Sequence, residues 1–579
     1  MRVLFLTSAH NSLSQRAAIE LHERGHVVSV ELAISDALME DAVERFQPDL
    51  ILAPFLKKAI PESIWRKNVC LIVHPGIKGD RGPSSLDWAI QEGASTWGVT
   101  VLQAIEEMDG GDIWASHTFP MRPVAKSTLY RAEVTEAAIR GVLEAVDRFS
   151  SVKYVAEKLD YTKPDVCGML RPSMKQADRR IDWNVDSTVA IARKIRAGDS
   201  NPGVLDRLFD KEYFVFGAHE EDRLRGEPGQ LIAQRDGAIC RATVDGAIWF
   251  THLKRRLPGA LTLKLPAVMA VGAEAASLPV LRAPIDEDLA HRSFREIRYV
   301  EKDGVGYLHF DFYNGAMNTD QCRRLRDAFV FACQRPTKVI ALLGGRDFWS
   351  NGIHLCTIEA AADPADESWL NINAIDDLVR EILSTSSHYI VAGIRGNAGA
   401  GGVMLALAAD QVHARSSVVL NPHYKSMGLF GSEYWTYTLP RRVGETLATQ
   451  LTEACLPLGA RAARSIGLVD HVLDGDVAAF DSKLTRVVER LAADPELPDM
   501  LSRKRDRRFA DEARKPLARY REEELTQMWQ NFYGVDPTYH EARRRFVYKL
   551  PATETCSRIA RHRAGSAGAP IVFDVSARR

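Results

Sequence analysis

The chain has 579 residues, 46% hydrophobic and 26% charged, with a formal net charge of −1; that length predicts more than one domain, and the balanced charge argues against a nucleic-acid partner. No apolar run is long enough to span a bilayer, and Arg2–Leu6 opens as a strand rather than a signal peptide, so no membrane partner is expected. The eight cysteines (Cys70, Cys167, Cys240, Cys322, Cys333, Cys356, Cys455 and Cys556) form no CxxC pair, and no His, Cys and carboxylate spacing suits a metal, which predicts a cytoplasmic chain with reduced thiols and no metal.

Residues 1–180 alternate strand and helix: strands at Val3–Leu6, Val27–Glu31, Leu50–Leu52 and Cys70–Val73, helices at Ser12–Arg24 and Asp36–Phe46. This alternation predicts a parallel, Rossmann-like sheet with its ligand at the carboxyl ends of the strands, where His74 falls. The turn Thr7-Ser8-Ala9 is not GxGxxG, which disfavours a dinucleotide. His74-Pro75-Gly76 to Gly82-Pro83 and Met108-Asp109-Gly110-Gly111-Asp112-Ile113 could bring a histidine and an aspartate together as a base and its orienter, or leave each as an ordinary turn residue.

These segments resemble the 10-formyltetrahydrofolate-dependent formyltransferases over most of residues 1–150. The resemblance implies a folate pocket, with His74 and Asp109 catalytic and Arg81, Gly82 and Asp112 in binding positions. The family's catalytic asparagine lies two residues before the histidine, where this chain has Ile72; Ser84, Ser85 or a backbone N–H are the candidate replacements, and Asn68 lies too far up the strand.

Residues 181–275 change pattern, with a helix at Ser187–Ala197 and short strands at Tyr213–Gly217, Gly229–Ala233, Ala238–Ala242 and Ala247–Leu253. Such strands predict a small β-barrel resembling the C-terminal domain of the same formyltransferases. Asp182, Asp186, Glu220, Glu221 and Asp222 interrupt its basic residues, so tRNA binding is not carried over, and residues 276–295 read as a linker.

Residues 296–480 contain two apolar strands, Val339–Leu343 and Ile390–Ala392, each running into a glycine-bearing turn. Gly393–Gly402 then feeds a helix of small residues, which offers backbone N–H groups to an anion, either a phosphate or a developing oxyanion; a tightly packed core turn is the other reading. Phe348–Leu355 and Asn397–Asp410 resemble, in that order, the two oxyanion-hole motifs of the crotonase (enoyl-CoA hydratase/isomerase) superfamily. The resemblance implies that the N–H groups of Ile353 and Gly401, next to Gly352 and Gly402, hold a CoA thioester oxygen, and that Gly315, Ala316 and Met317 meet the adenine. The two hydratase glutamates fall at Met404 and Tyr424, so hydration is not expected, and Tyr424 and Glu433 remain as candidate acid or base.

Residues 481–579 read as a C-terminal helical extension, with a break at Pro516 and a tail at Gly565–Ala569. The whole order is an α/β multidomain chain: a Rossmann-like formyltransferase domain, a small β-barrel domain and a crotonase-like β/α superhelix core with C-terminal helices. It resembles the nickel–iron hydrogenase maturation factors of the HypX/HoxX family over nearly all its length. That resemblance implies formyl transfer from 10-formyltetrahydrofolate to coenzyme A, then decarbonylation of formyl-CoA to carbon monoxide and CoA. Folate and CoA would be its small-molecule partners, with other hydrogenase maturation proteins as further ones. The alternatives are a formyltransferase acting on an amine with the second half as scaffold, an acyl-CoA hydrolase or isomerase acting on ordinary acyl-CoAs without folate, or a non-catalytic maturation chaperone.

Overall fold

The structure, a computed structural model, describes residues 1–151, 153–287 and 291–563. They fall into two compact units: Met1–Leu281 with 291–294 and 551–563, and 282–287 with Arg295–Leu550. The expected tail at Gly565–Ala569 lies outside the described residues.

The first unit starts with β1 (Arg2–Thr7), β2 (Val27–Leu32), β3 (Leu50–Ala53), β4 (Cys70–His74), β5 (Thr96–Gln103) and β6 (Ile113–Pro120). They form one sheet in the order β2-β1-β3-β4-β5-β6. Val3 to Leu6 are fully buried because helices cover both faces, as an apolar parallel strand requires. Helices Ser12–Glu23 and Asp36–Phe46 begin where the side chains of Asn11 and Ser35 accept the N–H of Ser14 and Leu38. The sheet is not parallel throughout, as the alternation predicted: β4–β5 and β5–β6 are antiparallel. Residues 104–112 are too few for the crossover that a parallel β5–β6 pair needs. The loop they form carries Asp109 back toward the end of β4.

The same unit continues with β7 (Val204–Leu208), β8 (Lys211–Glu221), β9 (Leu231–Arg235), β10 (Ala238–Ala242), β11 (Ala247–Arg255) and β12 (Lys264–Pro266). The order is β7-β8-β11-β10-β9, with β12 paired to β11, all antiparallel. Sequence periodicity missed β7, whose middle is the charged pair Asp206-Arg207, and β12, which is three residues long.

The α-helices of the C-terminal extension end at Val547, and residues 551–563 belong to the first unit. There they cover β2, the end strand of its sheet: Val30 N–H donates to the Ile559 carbonyl (3.0 Å) and Leu32 N–H to Thr555 Oγ1 (2.9 Å). Glu31 is wholly buried and accepts from Thr555 Oγ1 (2.6 Å) and Arg563 Nε (3.1 Å), with His562 Nε2 at 2.8 Å. Burial pushes the Glu31 carboxyl up, but the bonds from His562, Thr555 and Arg563 outweigh it and hold it below its ordinary value.

The second unit has β13 (Ile297–Lys302), β14 (Val305–Phe310), β15 (Val339–Leu343), β16 (Phe348–Ser350), β17 (Tyr389–Ile394), β18 (Asn397–Gly399), β19 (Gln411–Arg415), β20 (Val419–Asn421), β21 (Leu458–Gly459) and β22 (His471–Leu473). Its sheets run β13-β14-β15-β17-β19-β22 and β16-β18-β20-β21. Each of β15, β17 and β19 in the large sheet is followed by a short strand of the small one, so the chain repeats one turn of a β/α superhelix. Helices Val477–Ala492, Leu497–Arg514, Leu517–Tyr533 and Thr538–Val547 follow, with the break at Pro516 where Lys515 is extended (φ −153°). Among the described residues no helix is long and apolar enough to cross a membrane.

Thr555→Val removes a donor from buried Glu31 and an acceptor from Leu32 N–H. It is expected to lower the denaturant-derived stability of the first unit by about 2–3 kcal/mol, the cost of leaving buried polar groups unpaired.

Candidate active sites

In the first unit His74 closes β4, paired with Thr100 of β5, and is buried. Its Nε2 lies 2.9 Å from Asp80 Oδ2 and its Nδ1 3.5 Å from Asp109 Oδ2. Gly76 makes the first contact feasible: a Cβ there would stand 2.4 Å from His74 Nε2 and 2.5 Å from Asp80 Oδ2. Asp109 has a left-handed backbone (φ +53°) and accepts the N–H of Gly82 (3.2 Å), itself at φ +109°. Arg81 ties the two loops together, donating to the Met108 carbonyl (2.9 Å) and pairing with Glu107 (2.7 Å). Asp112 does not join them through its side chain; its carbonyl accepts the Gln103 N–H (2.9 Å).

The histidine therefore sits between two carboxylates. The closer one is Asp80, not the Asp109 that spacing suggested. Ile72, on the same face of β4 as His74, packs among apolar residues and offers no donor. Ser85 Oγ spends its proton on the Pro75 carbonyl (2.9 Å), while Ser84 Oγ accepts Met174 N–H (3.0 Å). The Asn68 amide, which precedes β4, donates to the Ile64 carbonyl (2.9 Å).

In the second unit the two glycine turns meet: a Cβ on Gly352 (φ +74°) would lie 3.3 Å from the Gly401 nitrogen. Trp349 Nε1 donates to the Gly402 carbonyl (2.9 Å), and Gly402 presses so closely on Ser350 that a Cβ would lie 2.0 Å from its carbonyl oxygen. The segment Gly315-Ala316-Met317 runs alongside, accepting Asn351 N–H at Gly315 (2.7 Å) and donating Met317 N–H to Gly352 (2.9 Å). In this bridge the Ile353 N–H faces away from Met317, since successive N–H groups alternate sides. Gly401 opens helix Gly401–Leu407, where a first-turn N–H has no intrahelical acceptor. Preceding it, Ala400 holds φ +47°, rare for a residue with a Cβ.

Beside these amides lies Glu433. A Cβ on Gly401 would come within 1.9 Å of Glu433 Oε1, so the carboxyl rests directly on that glycine. Glu433 Oε2 accepts the Tyr424 hydroxyl (2.9 Å) and Ser432 N–H (3.2 Å). Met404, in the position of a hydratase glutamate, is fully buried in the core. The structure thus brings Ile353, Gly401, Gly352, Gly402, Tyr424 and Glu433 to one place.

Three family descriptions match the chain: Formyl transferase over residues 31–146, Formyl transferase, C-terminal domain over 173–264, and Enoyl-CoA hydratase/isomerase over 302–552. Hydrogenase maturation factor HoxX of Bradyrhizobium diazoefficiens is 50% identical over 581 residues, covering 100% of both chains. This chain belongs to the HoxX/HypX family of hydrogenase maturation factors. The crystal structure of HypX from Aquifex aeolicus in complex with tetrahydrofolic acid is 45% identical, with a TM-score of 0.94 over 97% of this chain and 99% of that one. Methionyl-tRNA formyltransferase of Thermotoga neapolitana is 26% identical over 216 residues, 37% of this chain and 66% of that protein. As a HoxX/HypX member the chain is an enzyme joining a formyltransferase module to a crotonase-like module.

Besides Asp80, sequence reasoning missed Ser432, Asp376 and Glu524, which surround Glu433. Ser432 Oγ donates to Asp376 (2.8 Å to Oδ2), and all four residues are buried. A signal existed: Asp376 lies four residues after Ile372 and three before Val379 on the apolar face of helix Pro364–Ser384, and Glu524 lies on the stripe Leu517, Leu525, Met528, Phe532. A carboxylate on an apolar stripe is the cue. Burial and the neighbouring Asp376 raise Glu433 to about 8; burial, then Asp376, raise Glu524 to about 8. Burial raises Asp376 to about 6 against the pull of Arg521. Burial and Glu433 push the Tyr424 hydroxyl well above its usual value, so it keeps its proton. Among the described residues no group of three or more His, Cys, Asp or Glu side chains is arranged to hold a metal ion.

Between pH 4.5, the ordinary value for a glutamate, and about 8, the folded chain keeps protons on Glu433 and Glu524 that the unfolded chain has released, so stability falls as pH rises. Thermal midpoints of the second unit measured across that window should decline, and less steeply in Glu433→Gln, which stays neutral.

Proposed function

We propose that this chain moves a formyl group from 10-formyltetrahydrofolate to the thiol of coenzyme A, then splits formyl-CoA into carbon monoxide and CoA, supplying the CO ligand during nickel–iron hydrogenase maturation. Family membership and the tetrahydrofolic acid complex of the Aquifex relative support the folate half. The observation that carries the second half is Glu433, held by Tyr424 and resting on Gly401, in a site whose hydratase positions are Met404 and Tyr424. A formyl thioester has no α-carbon, so acids for hydration or isomerisation have no use. A single base beside the carbonyl-binding amides is what it needs.

In the first step the CoA thiol loses its proton to His74, whose ring is held between Asp80 and Asp109. Sulfur attacks the formyl carbon, the bond to the folate N10 breaks, and that nitrogen takes the proton. Arg81 and Gly82 fix the loop that carries Asp109 toward the ring. In the second step the N–H groups of Ile353 and Gly401 polarise the formyl oxygen. Glu433 takes the formyl proton, the carbon–sulfur bond breaks, CO leaves, and Glu433 returns the proton to the thiolate. Tyr424, which keeps its own proton, holds Glu433 Oε2 and leaves Oε1 facing the substrate. Gly315, Ala316 and Met317 would meet the adenine of CoA. Water is excluded because the groups around Glu433 are buried, which protects a labile thioester.

The test is anaerobic incubation with 10-formyltetrahydrofolate labelled in the formyl carbon, with and without CoA, trapping gas on reduced haemoglobin. Labelled CO that requires CoA is the expected result. Formyl-CoA without CO would remove the second step, and an unconsumed donor would point to a non-catalytic maturation role. His74→Ala should slow donor consumption by about 10²-fold or more, the scale of a lost general base. Tyr424→Phe/Glu433→Gln should leave donor consumption unchanged, halt CO release and let formyl-CoA accumulate. Glu433 must be ionised to accept a proton, so the CO-forming rate should rise with pH up to about 8 and level off above it.

A further inference from the structure

The turn that carries Glu433 is held from outside itself. Glu433 (φ +61°) and Tyr434 (φ +58°) are both left-handed, a conformation that side-chain-bearing residues rarely adopt and here adopt in succession. Two carboxylates from distant helices take the N–H groups of this turn. Glu433 N–H donates to Asp376 Oδ1 (2.9 Å), Tyr434 N–H to Glu524 Oε2 (2.9 Å) and Thr436 N–H to Glu524 Oε1 (2.8 Å). Ser432 Oγ bridges the pair, 2.8 Å from Asp376 Oδ2 and 3.3 Å from Glu524 Oε2.

Tyr434 is also the N-cap of helix Trp435–Val443, and it makes no side-chain cap bond. Glu524 takes over that task from another helix, accepting N–H groups at the helix start. Arg521, on the same helix Leu517–Tyr533, donates to Asp377 (2.7 Å) and Asn373 Oδ1 (3.0 Å) and so keeps that helix against Pro364–Ser384, which bears Asp376.

We propose that Asp376 and Glu524 are positioning residues of the thioester site: they lock Ser432–Tyr434 in its left-handed turn and so hold the Glu433 carboxyl in front of Gly401. This rests on the reading of Glu433 as the base. It makes the C-terminal helix Leu517–Tyr533 part of the site's working geometry. Neither side chain touches the reacting atoms; both act through the placement of Glu433.

The test uses the full chain with Glu524→Gln, Glu524→Ala and Asp376→Asn. A glutamine offers one oxygen where two are used, so whichever way its amide lies an NH2 meets a backbone N–H, whereas alanine offers none. Amide hydrogen exchange across residues 430–437 should speed up in each variant, more in Glu524→Ala than in Glu524→Gln. CO release from the labelled donor should fall by about 100-fold in kcat, the scale of a 1 Å misplacement, with KM little changed and donor consumption as in the wild type. Formyl-CoA should accumulate. Unchanged exchange overturns the inference, and so does faster exchange with undiminished CO release, which would make the carboxylates merely structural. Loss of donor consumption together with CO would mean general unfolding of Glu524→Gln and overturn its selective role; Asp376→Asn, on a different helix, then decides the turn independently. If the wild-type chain itself releases no CO, the reading of Glu433 fails, and exchange alone decides: protected amides overturn the hold on the turn, and exposed ones uphold it.

Discussion

Three carboxyl groups, Asp376, Glu433 and Glu524, are buried in one hydrogen-bonded network of the second unit. Burying charge in protein is expensive unless the group is paired or neutral. Here the cost is met by protonation and by backbone amides: the carboxyl values lie at about 6, 8 and 8, and three N–H donors of one turn, those of Glu433, Tyr434 and Thr436, end on Asp376 and Glu524. The consequence is chemical. A glutamate that would be ionised on the surface is raised to about 8, the strength the proposed base requires, and is set against Gly401 where no side chain could fit.

The first unit solves a similar problem by different means. His74 is buried at a strand end, and the groups flanking it are carried by loops rich in glycine because only glycine allows the loops so close. Gly76 admits Asp80 to the ring; Gly82 turns its N–H onto Asp109. Asp80 lies within hydrogen-bond distance of one ring nitrogen (2.9 Å) and Asp109 stands 3.5 Å from the other, so the imidazole is flanked by carboxylates on both sides. With an isoleucine in the asparagine position, the electrostatics of this site rest on a histidine and two carboxylates.

The two steps of the proposed reaction are chemically complementary. Formyl transfer to a thiol produces a thioester with no α-carbon. A crotonase-type pair of amides can polarise that thioester, and a lone base can unmake it. On that proposal Met404 and Tyr424 fit a substrate that needs no hydration acids, and the retained glycines Gly352, Gly401 and Gly402 would serve the part of the task that is unchanged. The C-terminal helices complete the second unit by lending Glu524, while residues 551–563 shield an open strand of the first.

Much of this was legible in the residues. Strand and helix periods located β1 to β4 and the helices Ser12–Glu23 and Asp36–Phe46 to within a residue or two, though not the short helix Glu62–Trp65; Pro516 marked the break in the C-terminal helices, and the glycine turns marked both candidate sites, because each of these is a local constraint on the backbone. What the sequence could not carry were contacts made between elements far apart in the chain. Asp80 rather than Asp109 lies nearest His74, because Gly76 folds the loop back on itself. Asp376 and Glu524, 148 residues apart in numbering, meet on one turn because each sits on the apolar face of its helix and both faces pack on the same core. The sequence determined which chemical groups were available and where the backbone had to bend; only the tertiary structure decided which carboxyl groups would share a buried, low-dielectric space, and that space is what turns them from surface charges into acids and bases.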